Sequence, residues 1–202
     1  MAQTCTGIPD AECQVLYNLY NNTGGDQWTD NTSWLSTEPT GSWYGITVDG
    51  GHVVGLEIGN NNVTGTILPE LGNLVYLQRL ALDYNHLTGS IPPELGNLAN
   101  LERLDLYSNK LSGGLPAFLA TPPDTLNLSW NCLYTDNPAL LATMETKHSG
   151  HFLDTQTIEP ENVTAEVTEI SGTEENRVRV SWDPISYTSN EGGYKVYYRA
   201  SW

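Results

Sequence analysis

Apolar residues recur along the middle of the chain in one repeated phrase, L-x-L-x-x-N-x-L or a close variant. Its four copies begin at Leu56, Leu80, Leu104 and Leu126, so successive copies are 24, 24 and 22 residues apart. A fixed period of this size indicates stacked repeats, because a single unit cannot bury its apolar face without neighbours. Within each copy, the alternation of apolar and polar residues predicts a short strand with two side chains inward and one outward.

An asparagine follows each predicted strand at the same position. Its amide both donates and accepts hydrogen bonds, so a stacked column of asparagines can satisfy buried backbone groups and one another. The column comprises Asn61, Asn85, Asn109 and Asn131. The sequence ELGNL, at residues 70–74 and 94–98, predicts a short helical turn that closes a unit. The fold class predicted by these features is an α/β solenoid of short parallel strands.

Helical signals lie on both sides of the repeats. Apolar residues at helical spacing predict a helix within residues 11–20, and Asp136 or Asn137 followed by Pro138 predicts the start of another. The predicted organisation is an N-terminal cap over residues 1–52, about four repeats over 53–134, a C-terminal capping helix over 135–152, a linker over 153–160 and a strand-rich segment over 161–202.

The full repeat, L-x-x-L-x-L-x-x-N-x-L-T/S-G-x-I-P-x-x-L-G-N-L, resembles the plant-type leucine-rich repeat. The resemblance implies a right-handed, curved solenoid whose strands line a concave face. The preceding segment is similar to the N-terminal cap of secreted leucine-rich-repeat proteins, around Trp28, Trp34 and Trp43, which are expected to form cap core. In related proteins this cap usually carries a disulfide, and Gly41 and Val48 occupy its two positions here.

Residues 161–202 contain three segments with strand-like alternation, ENVTAEVTEI, NRVRVSWDPI and GYKVYYRASW. The pattern resembles the first three strands of a fibronectin type III domain, which needs seven strands and about 100 residues. Only 43 residues remain from Pro160 onwards, so we expect a partial β-sandwich whose open edge permits self-association. Such repeats followed by fibronectin-like modules are typical of bacterial secreted or surface proteins, and the chain resembles that group.

The net charge and the sequence motifs exclude several classes of partner and activity. The chain has 24 acidic and 8 basic residues and a net charge of −16, which argues against nucleic acid and anionic membranes as partners. No apolar run is long enough to span a membrane. The N-terminal residues show no signal-peptide pattern, and we expect that a signal peptide was removed by cleavage from a secreted protein. Cys5 and Cys13 flank a short loop and either form a disulfide or remain thiols. Without a catalytic, phosphate or metal motif, we expect no enzyme activity and no cofactor.

The candidate binding surface consists of outward positions on the strands and the turns that follow them. Exposed Tyr, Trp and Arg dominate binding hot spots, but stacked aromatic residues also stabilise sheets, and the sequence leaves both roles open. The candidate partner-binding residues are Arg79, Asp83, Tyr84, Arg103, Asp105, Tyr107, Asn127 and Trp130. An ion pair of Arg79 with Asp83 or Asp105 is also expected on this surface.

Three functions are consistent with this sequence. The first is a non-catalytic protein-recognition module of a secreted or cell-surface protein, which binds a protein through the concave face. The second is a carbohydrate-binding or adhesive module, in which the exposed aromatic rings stack on a glycan. The third is a structural spacer within a larger surface protein, without a ligand of its own.

Overall fold

The computed structural model describes residues 5–36, 38–150 and 152–156, and the backbone of residues 164–169 and 176–181. The chain divides into two units, Met1–Thr157 and Ile158–Trp202, and each is described by itself.

Eight short strands lie among the described residues of the first unit. In chain order they are β1 (Ile46–Asp49), β2 (His52–Glu57), β3 (Arg79–Ala81), β4 (Thr88–Gly89), β5 (Arg103–Asp105), β6 (Lys110–Gly114), β7 (Thr125–Asn127) and β8 (Cys132–Tyr134). The main sheet has the order β1-β2-β3-β5-β7, in which β1 pairs antiparallel with β2 and the remaining pairs are parallel. A second parallel sheet contains β4, β6 and β8. The predicted parallel strands of a leucine-rich-repeat solenoid are therefore confirmed.

The register of the main sheet keeps the repeat leucines in line. Leu56 pairs with Leu80, Leu80 with Leu104 and Leu104 with Leu126. All four leucines are at most 7% exposed. Burying each such side chain contributes about 1.5–3 kcal/mol, so the stack of repeats supplies the core that one repeat cannot form alone.

Short 3-10 helices close the repeats, as the ELGNL segments predict. They span Pro69–Asn73, Pro93–Asn97 and Ala117–Ala120. Leu71 and Leu95, within the first two, are at most 1% exposed and belong to the same buried cluster as the strand leucines. The core of the solenoid therefore includes both the strands of the main sheet and these helices.

The asparagine column satisfies backbone groups that the turns would otherwise leave buried and unpaired. The Asn85 Oδ1 atom accepts hydrogen bonds from the backbone N–H groups of Asn61, at 3.0 Å, and Val63, at 2.9 Å. The Asn85 Nδ2 atom donates to the carbonyl groups of Ile58 and Leu82, both at 3.0 Å. The column thus links each repeat to the preceding one through side chain to backbone contacts, each of which protects a buried polar group.

A glutamine continues this column beyond the last asparagine. The Gln156 Oε1 atom accepts from the Leu133 backbone N–H at 3.0 Å, and its Nε2 atom donates to the Leu128 carbonyl at 3.1 Å. The Trp130 backbone N–H donates to the Thr155 carbonyl at 2.7 Å. The predicted linker over 153–160 is therefore wrong at Thr155 and Gln156, because these two residues hydrogen-bond to the last repeat as a further turn of the solenoid.

Helix α1 spans Asp10–Asn22 and confirms the helix predicted within residues 11–20. It follows Pro9, which is extended, and it carries an acidic residue in its first turn, where the helix dipole favours negative charge. A disulfide joins Cys5 to Cys13 in the first turn of the helix, with a Cα–Cα distance of 5.6 Å. This bond attaches the segment before α1 to the helix.

A buried carboxylate joins α1 to the first repeat. Glu12 is 6% exposed, and its Oε2 atom accepts from the Val53 backbone N–H at 2.8 Å. Its Oε1 atom lies 2.6 Å from the His52 Nδ1 atom. The His52 ring in turn stacks on Tyr76, with ring centroids 3.8 Å apart.

Helix α2 spans Pro138–Lys147 and lies inside the range predicted for the C-terminal helix. Asn137, one of the two predicted capping residues, accepts hydrogen bonds from the backbone N–H groups of Ala139 and Leu140. Pro138 occupies the first helical position, where its missing N–H costs nothing.

The second unit contains two described strands, β9 (Thr164–Glu169) and β10 (Asn176–Ser181). They pair antiparallel, from Asn176 opposite Glu169 to Ser181 opposite Thr164. The third predicted strand, GYKVYYRASW, lies outside the described residues. The fibronectin type III assignment of residues 161–202 stays a prediction.

Candidate recognition surface

The outward side of the main sheet, here called the strand face, carries two ion pairs. The Arg79 Nε atom lies 3.3 Å from Glu57 Oε2, and the Arg103 Nη2 atom lies 2.9 Å from Asp105 Oδ2. The sequence predicted instead that Arg79 pairs with Asp83 or Asp105. Glu57 on β2 and Asp105 on β5 are each two residues out of register with Arg79, but Arg103 of the same strand already pairs with Asp105, so Arg79 pairs with Glu57.

Two of the predicted partner-binding residues are occupied within the protein. Asp105 is only 6% exposed and held by Arg103, so its placement on an accessible surface was wrong. The Asp105 Oδ1 atom is buried without a hydrogen-bond partner, which leaves the ion pair to stabilise the charge. The Asn127 Oδ1 atom accepts from the backbone N–H of Ser129 at 3.1 Å.

Asp83 occupies a half-buried position at the end of the same face. Its carboxylate lies over Gly59 so closely that a Cβ atom at residue 59 would be 2.7 Å from Asp83 Oδ1. Burial raises the pKa of Asp83, and the negative charge of Asp105 raises it further. This carboxylate therefore lies in a site where added positive charge would be stabilising.

Tyr84, Tyr107 and Trp130, here called the aromatic row, lie beside the strand face where the strands end. Tyr84 is 54% exposed and Trp130 is 55% exposed. Tyr84 and Tyr107 meet edge to face, with ring centroids 4.6 Å apart. A hydrogen bond with Tyr84 raises the pKa of Tyr107 to about 12, with further contributions from burial and from the charge of Asp83.

Two members of the aromatic row have a left-handed backbone. The residue immediately before the column asparagine has positive φ in all four repeats: 51° at Asn60, 49° at Tyr84, 55° at Ser108 and 56° at Trp130. Asparagine tolerates this conformation, whereas a bulky side chain there costs about 1–2 kcal/mol. We call this the left-handed position. Sequence reasoning missed its backbone conformation, although Asn60 in the equivalent place was an available signal.

Backbone hydrogen bonds between repeats hold this conformation. The Asn60 N–H donates to the Asp83 carbonyl at 2.8 Å, and the Tyr84 N–H donates to the Tyr107 carbonyl at 3.0 Å. These contacts and the asparagine column hold the left-handed turn even where the residue is as large as Tyr84 or Trp130.

A shallow cleft of about 290 Å³ lies beside Tyr84. Its lining exposes polar and apolar atoms about equally and comprises Thr29, Asn60, Asn62, Tyr84, Asn85, His86 and Ser108. The cleft adds amide and hydroxyl groups to the aromatic row, so the surface offers both apolar and hydrogen-bonding contacts.

The described part of the chain shows neither a metal site nor a membrane helix. No group of three or more His, Cys, Asp or Glu side chains in it could hold a metal ion. No helix in the same residues is long and apolar enough to cross a membrane.

Comparison with known proteins supports the repeat assignment. The Leucine Rich Repeat family model matches residues 76–98 and 100–121, so these segments are leucine-rich repeats. No curated protein sequence matches the chain significantly.

Several solved structures are similar to the solenoid. The ectodomain of the receptor kinase GASSHO1/SCHENGEN3 from Arabidopsis thaliana, in complex with CASPARIAN STRIP INTEGRITY FACTOR 2, is 42% identical over 44% of this chain and 11% of its own, with a TM-score of 0.39. The Arabidopsis thaliana BIR2 ectodomain is 22% identical over 62% of this chain and 82% of its own, with a TM-score of 0.45. The Arabidopsis HAESA ectodomain, in complex with an extended IDA peptide hormone, is 24% identical over 62% of this chain and 22% of its own, with a TM-score of 0.49.

Proposed function

We propose that this chain is a non-catalytic recognition module that binds a protein or peptide through the aromatic row and the adjoining strand face. One observation carries the proposal. Tyr84 and Trp130 place large, more than half-exposed aromatic rings at left-handed positions, where asparagine would be more stable. A residue that costs stability and contributes little to the core is expected to serve an external partner.

The chemistry of these side chains favours a macromolecular partner. Tyrosine and tryptophan are enriched in binding hot spots, because each buries a large rigid surface and keeps one polar group for hydrogen bonding. The cleft beside Tyr84 supplies further amide and hydroxyl groups within the same surface. An exposed aromatic row with polar surroundings has the composition of a protein interface.

The alternative functions have less support from this geometry. A sugar ring stacks best on a broad flat surface, but the Tyr84 and Tyr107 rings meet at 72°, so this pair presents no single flat face of that size. A spacer without a ligand would be more stable with asparagine at residues 84 and 130. The sequence has tyrosine and tryptophan there instead, which argues against a spacer. Stacking within the sheet accounts for the Tyr84–Tyr107 contact but not for the exposure of Trp130.

We propose that the module belongs to a secreted or cell-surface protein of the bacterial type described above. The cap-like segment around the buried tryptophans and the Cys5–Cys13 disulfide support an oxidising location. The antiparallel pairing of β9 with β10 agrees with a fibronectin-like arrangement of residues 161–202. Glycan binding and self-association remain alternatives within this setting.

A selection experiment tests the proposed function. The full chain is immobilised and a displayed library of random 12-residue peptides is selected against it. Selected peptides are then measured against the double variant Tyr84→Asn/Trp130→Asn, with Ser149→Asn as the matched control at an exposed residue that also has positive φ and lies outside the cleft. We expect peptides whose affinity falls at least tenfold in the double variant and less than twofold in the control. Selected peptides that bind all three proteins equally would contradict the proposal.

A further inference from the structure

We propose that the partner is a basic polypeptide segment, and that a lysine or arginine side chain of that partner lies against the aromatic row beside Asp83. This inference deepens the proposed function and rests on it. It specifies the chemistry of the partner, which the function alone leaves open.

The charge of the repeats is the first argument. Residues 53–134 contain seven acidic residues and three basic residues, Arg79, Arg103 and Lys110. The whole chain has the same sign, with a net charge of −16. A partner of opposite charge gains from this field in both association rate and specificity, whereas an acidic partner is repelled.

The existing contacts of the cations are the second argument. Arg79 pairs with Glu57, and Arg103 pairs with Asp105. Lys147, in helix α2, donates to the backbone carbonyl groups of Pro123 and Asp124, both at 3.0 Å. Both arginines of the strand face are therefore already engaged, and an acidic partner would have to break these contacts to use them.

The local environment of the aromatic row is the third argument. Asp83 is half-buried near the negative charge of Asp105, and its own charge contributes to the raised pKa of Tyr107. Arg103 pairs with Asp105 and its charge also lowers the pKa of Asp83, but burial and Asp105 outweigh that effect, and Asp83 has no ion pair of its own among the described residues. A cation placed here would offset the Asp83 charge and lie against the tyrosine rings.

Contact with the aromatic rings and contact with the Asp83 carboxylate both favour a cation over other chemical groups. A lysine or arginine over an aromatic ring is attracted to the negative face of the ring, and the attraction increases as the cation is desolvated. A neighbouring carboxylate adds a charge-assisted hydrogen bond, which is about twice as strong as a neutral one. Because a neutral sugar gains from neither effect to the same extent, the surface fits a basic peptide better than a glycan.

The composition of selected peptides gives the first test. The random 12-residue library is selected on the full chain at low salt, and lysine plus arginine are counted against aspartate plus glutamate in the enriched and input pools. We expect an enriched pool with clear excess of lysine and arginine. An enriched pool that is neutral or acidic would overturn the inference.

The second test locates the cation on the surface. The dissociation constant of one synthetic enriched peptide is measured by fluorescence anisotropy at 50 and 300 mM NaCl, a range over which surface charge interactions become largely screened. Asp83→Asn is expected to weaken binding at low salt about fivefold to tenfold, in line with loss of one close charge contact. Glu70→Gln, which removes one exposed charge from the Pro69–Asn73 helix, is the matched control and is expected to change binding less than twofold.

The outcomes separate this inference from the proposed function. Peptides that need Tyr84 and Trp130 but ignore salt and Asp83→Asn would overturn the basic partner and leave the recognition function standing. Peptides that bind independently of the aromatic row would overturn both. Binding on a glycan array that is lost in Trp130→Asn would replace the polypeptide partner with a sugar.

Discussion

Two groups of three aromatic residues in this molecule have opposite surroundings. Trp28, Trp34 and Trp43, in the segment before the repeats, are between 2% and 7% exposed, and neighbouring members of the group have centroids 4.9 and 5.2 Å apart. In the aromatic row, Tyr84 and Trp130 are more than half exposed. Residue type alone therefore does not show whether an aromatic side chain stabilises the fold or is available to bind a partner.

Hydrogen bonds and backbone conformation distinguish the two groups. The buried indole N–H groups of Trp28 and Trp34 donate to the Thr23 and Tyr44 carbonyl groups at 3.0 and 2.9 Å, whereas the indole N–H of Trp43 is buried without a partner among the described residues. Burial of a tryptophan is favourable when its one polar atom finds such a partner. The aromatic row instead lies partly at left-handed positions, where a large side chain costs stability.

Truncating one tryptophan from each group is expected to give the largest difference in the free energy of unfolding. Trp34→Ala removes a buried ring that contacts Tyr20 and two tryptophans, so we expect a loss of about 3–5 kcal/mol in the free energy of unfolding. Trp130→Ala should cost less than about 1 kcal/mol, because most of its ring already contacts water. Denaturant unfolding of the two variants measures both values, and equal losses would remove the distinction.

Asn85→Ala is expected to destabilise the repeats by about 3 kcal/mol. The substitution leaves the backbone N–H groups of Asn61 and Val63 and the carbonyl group of Ile58 without their Asn85 partner, at about 1–3 kcal/mol for each group that water cannot reach, whereas the Leu82 carbonyl keeps its hydrogen bond from Asn109. Asn73→Ala, at an exposed position of a 3-10 helix, is the control and should change stability by less than about 0.5 kcal/mol. Thermal unfolding of both variants gives the comparison, and a small effect of Asn85→Ala would show that water replaces the column.

An engineered disulfide at residues 41 and 48 should stabilise the segment that contains the three buried tryptophans. A Cβ atom at Gly41 would lie 3.5 Å from the Val48 Cβ, within the range that disulfides adopt. We expect Gly41→Cys/Val48→Cys to form this bond and to add about 2 kcal/mol under oxidising conditions. Unfolding with and without reductant isolates the contribution, and a variant whose thiols stay reactive would show that the two positions are not adjacent.

Asp83→Asn is expected to change the free energy of unfolding least. The variant should be slightly more stable but should bind a basic peptide more weakly. Because the folded protein raises the pKa of Asp83, this residue contributes stability when protonated, and that contribution is lost as pH rises through the folded pKa. The asparagine variant should therefore be slightly more stable than the wild type at pH 7, by less than about 1 kcal/mol, since the carboxylate is only half-buried.

The pH profile provides the check on this sign. The difference in Tm between Asp83→Asn and the wild type should vanish below pH 3.8, the ordinary pKa of the aspartate, where both proteins are neutral at residue 83. A difference that persists unchanged at low pH would have a cause other than charge.

Periodic features of the fold were predictable from the sequence. The leucine and asparagine spacing identified the parallel strands, the asparagine column and the short helices, because each of these repeats with the chain. Non-periodic features were not predictable in the same way. Gln156 continues the column with a different residue type after a stretch without the repeat phrase, so the last turn of the solenoid was assigned to a linker.

The candidate surface was predicted only in part, for a similar reason. Alternation along a strand separates inward from outward side chains, but it does not reveal which outward side chain covers another. Asp105 pairs with Arg103 on its own strand, and Arg79 pairs with Glu57 on the neighbouring strand; both contacts depend on the direction of the individual side chains. The left-handed position depends on turn geometry, which only Asn60 indicated.

The most direct test of the account combines stability and binding in one pair of proteins. The unfolding free energy and the affinity for a selected peptide are measured for the wild type and for Tyr84→Asn/Trp130→Asn. The account predicts unfolding free energies within about 1 kcal/mol of each other, because relief of the left-handed strain offsets lost ring contacts, and an affinity at least tenfold weaker in the variant. A variant that is several kcal/mol less stable, yet binds the peptide unchanged, would show that the aromatic row holds the fold together and is not a recognition surface.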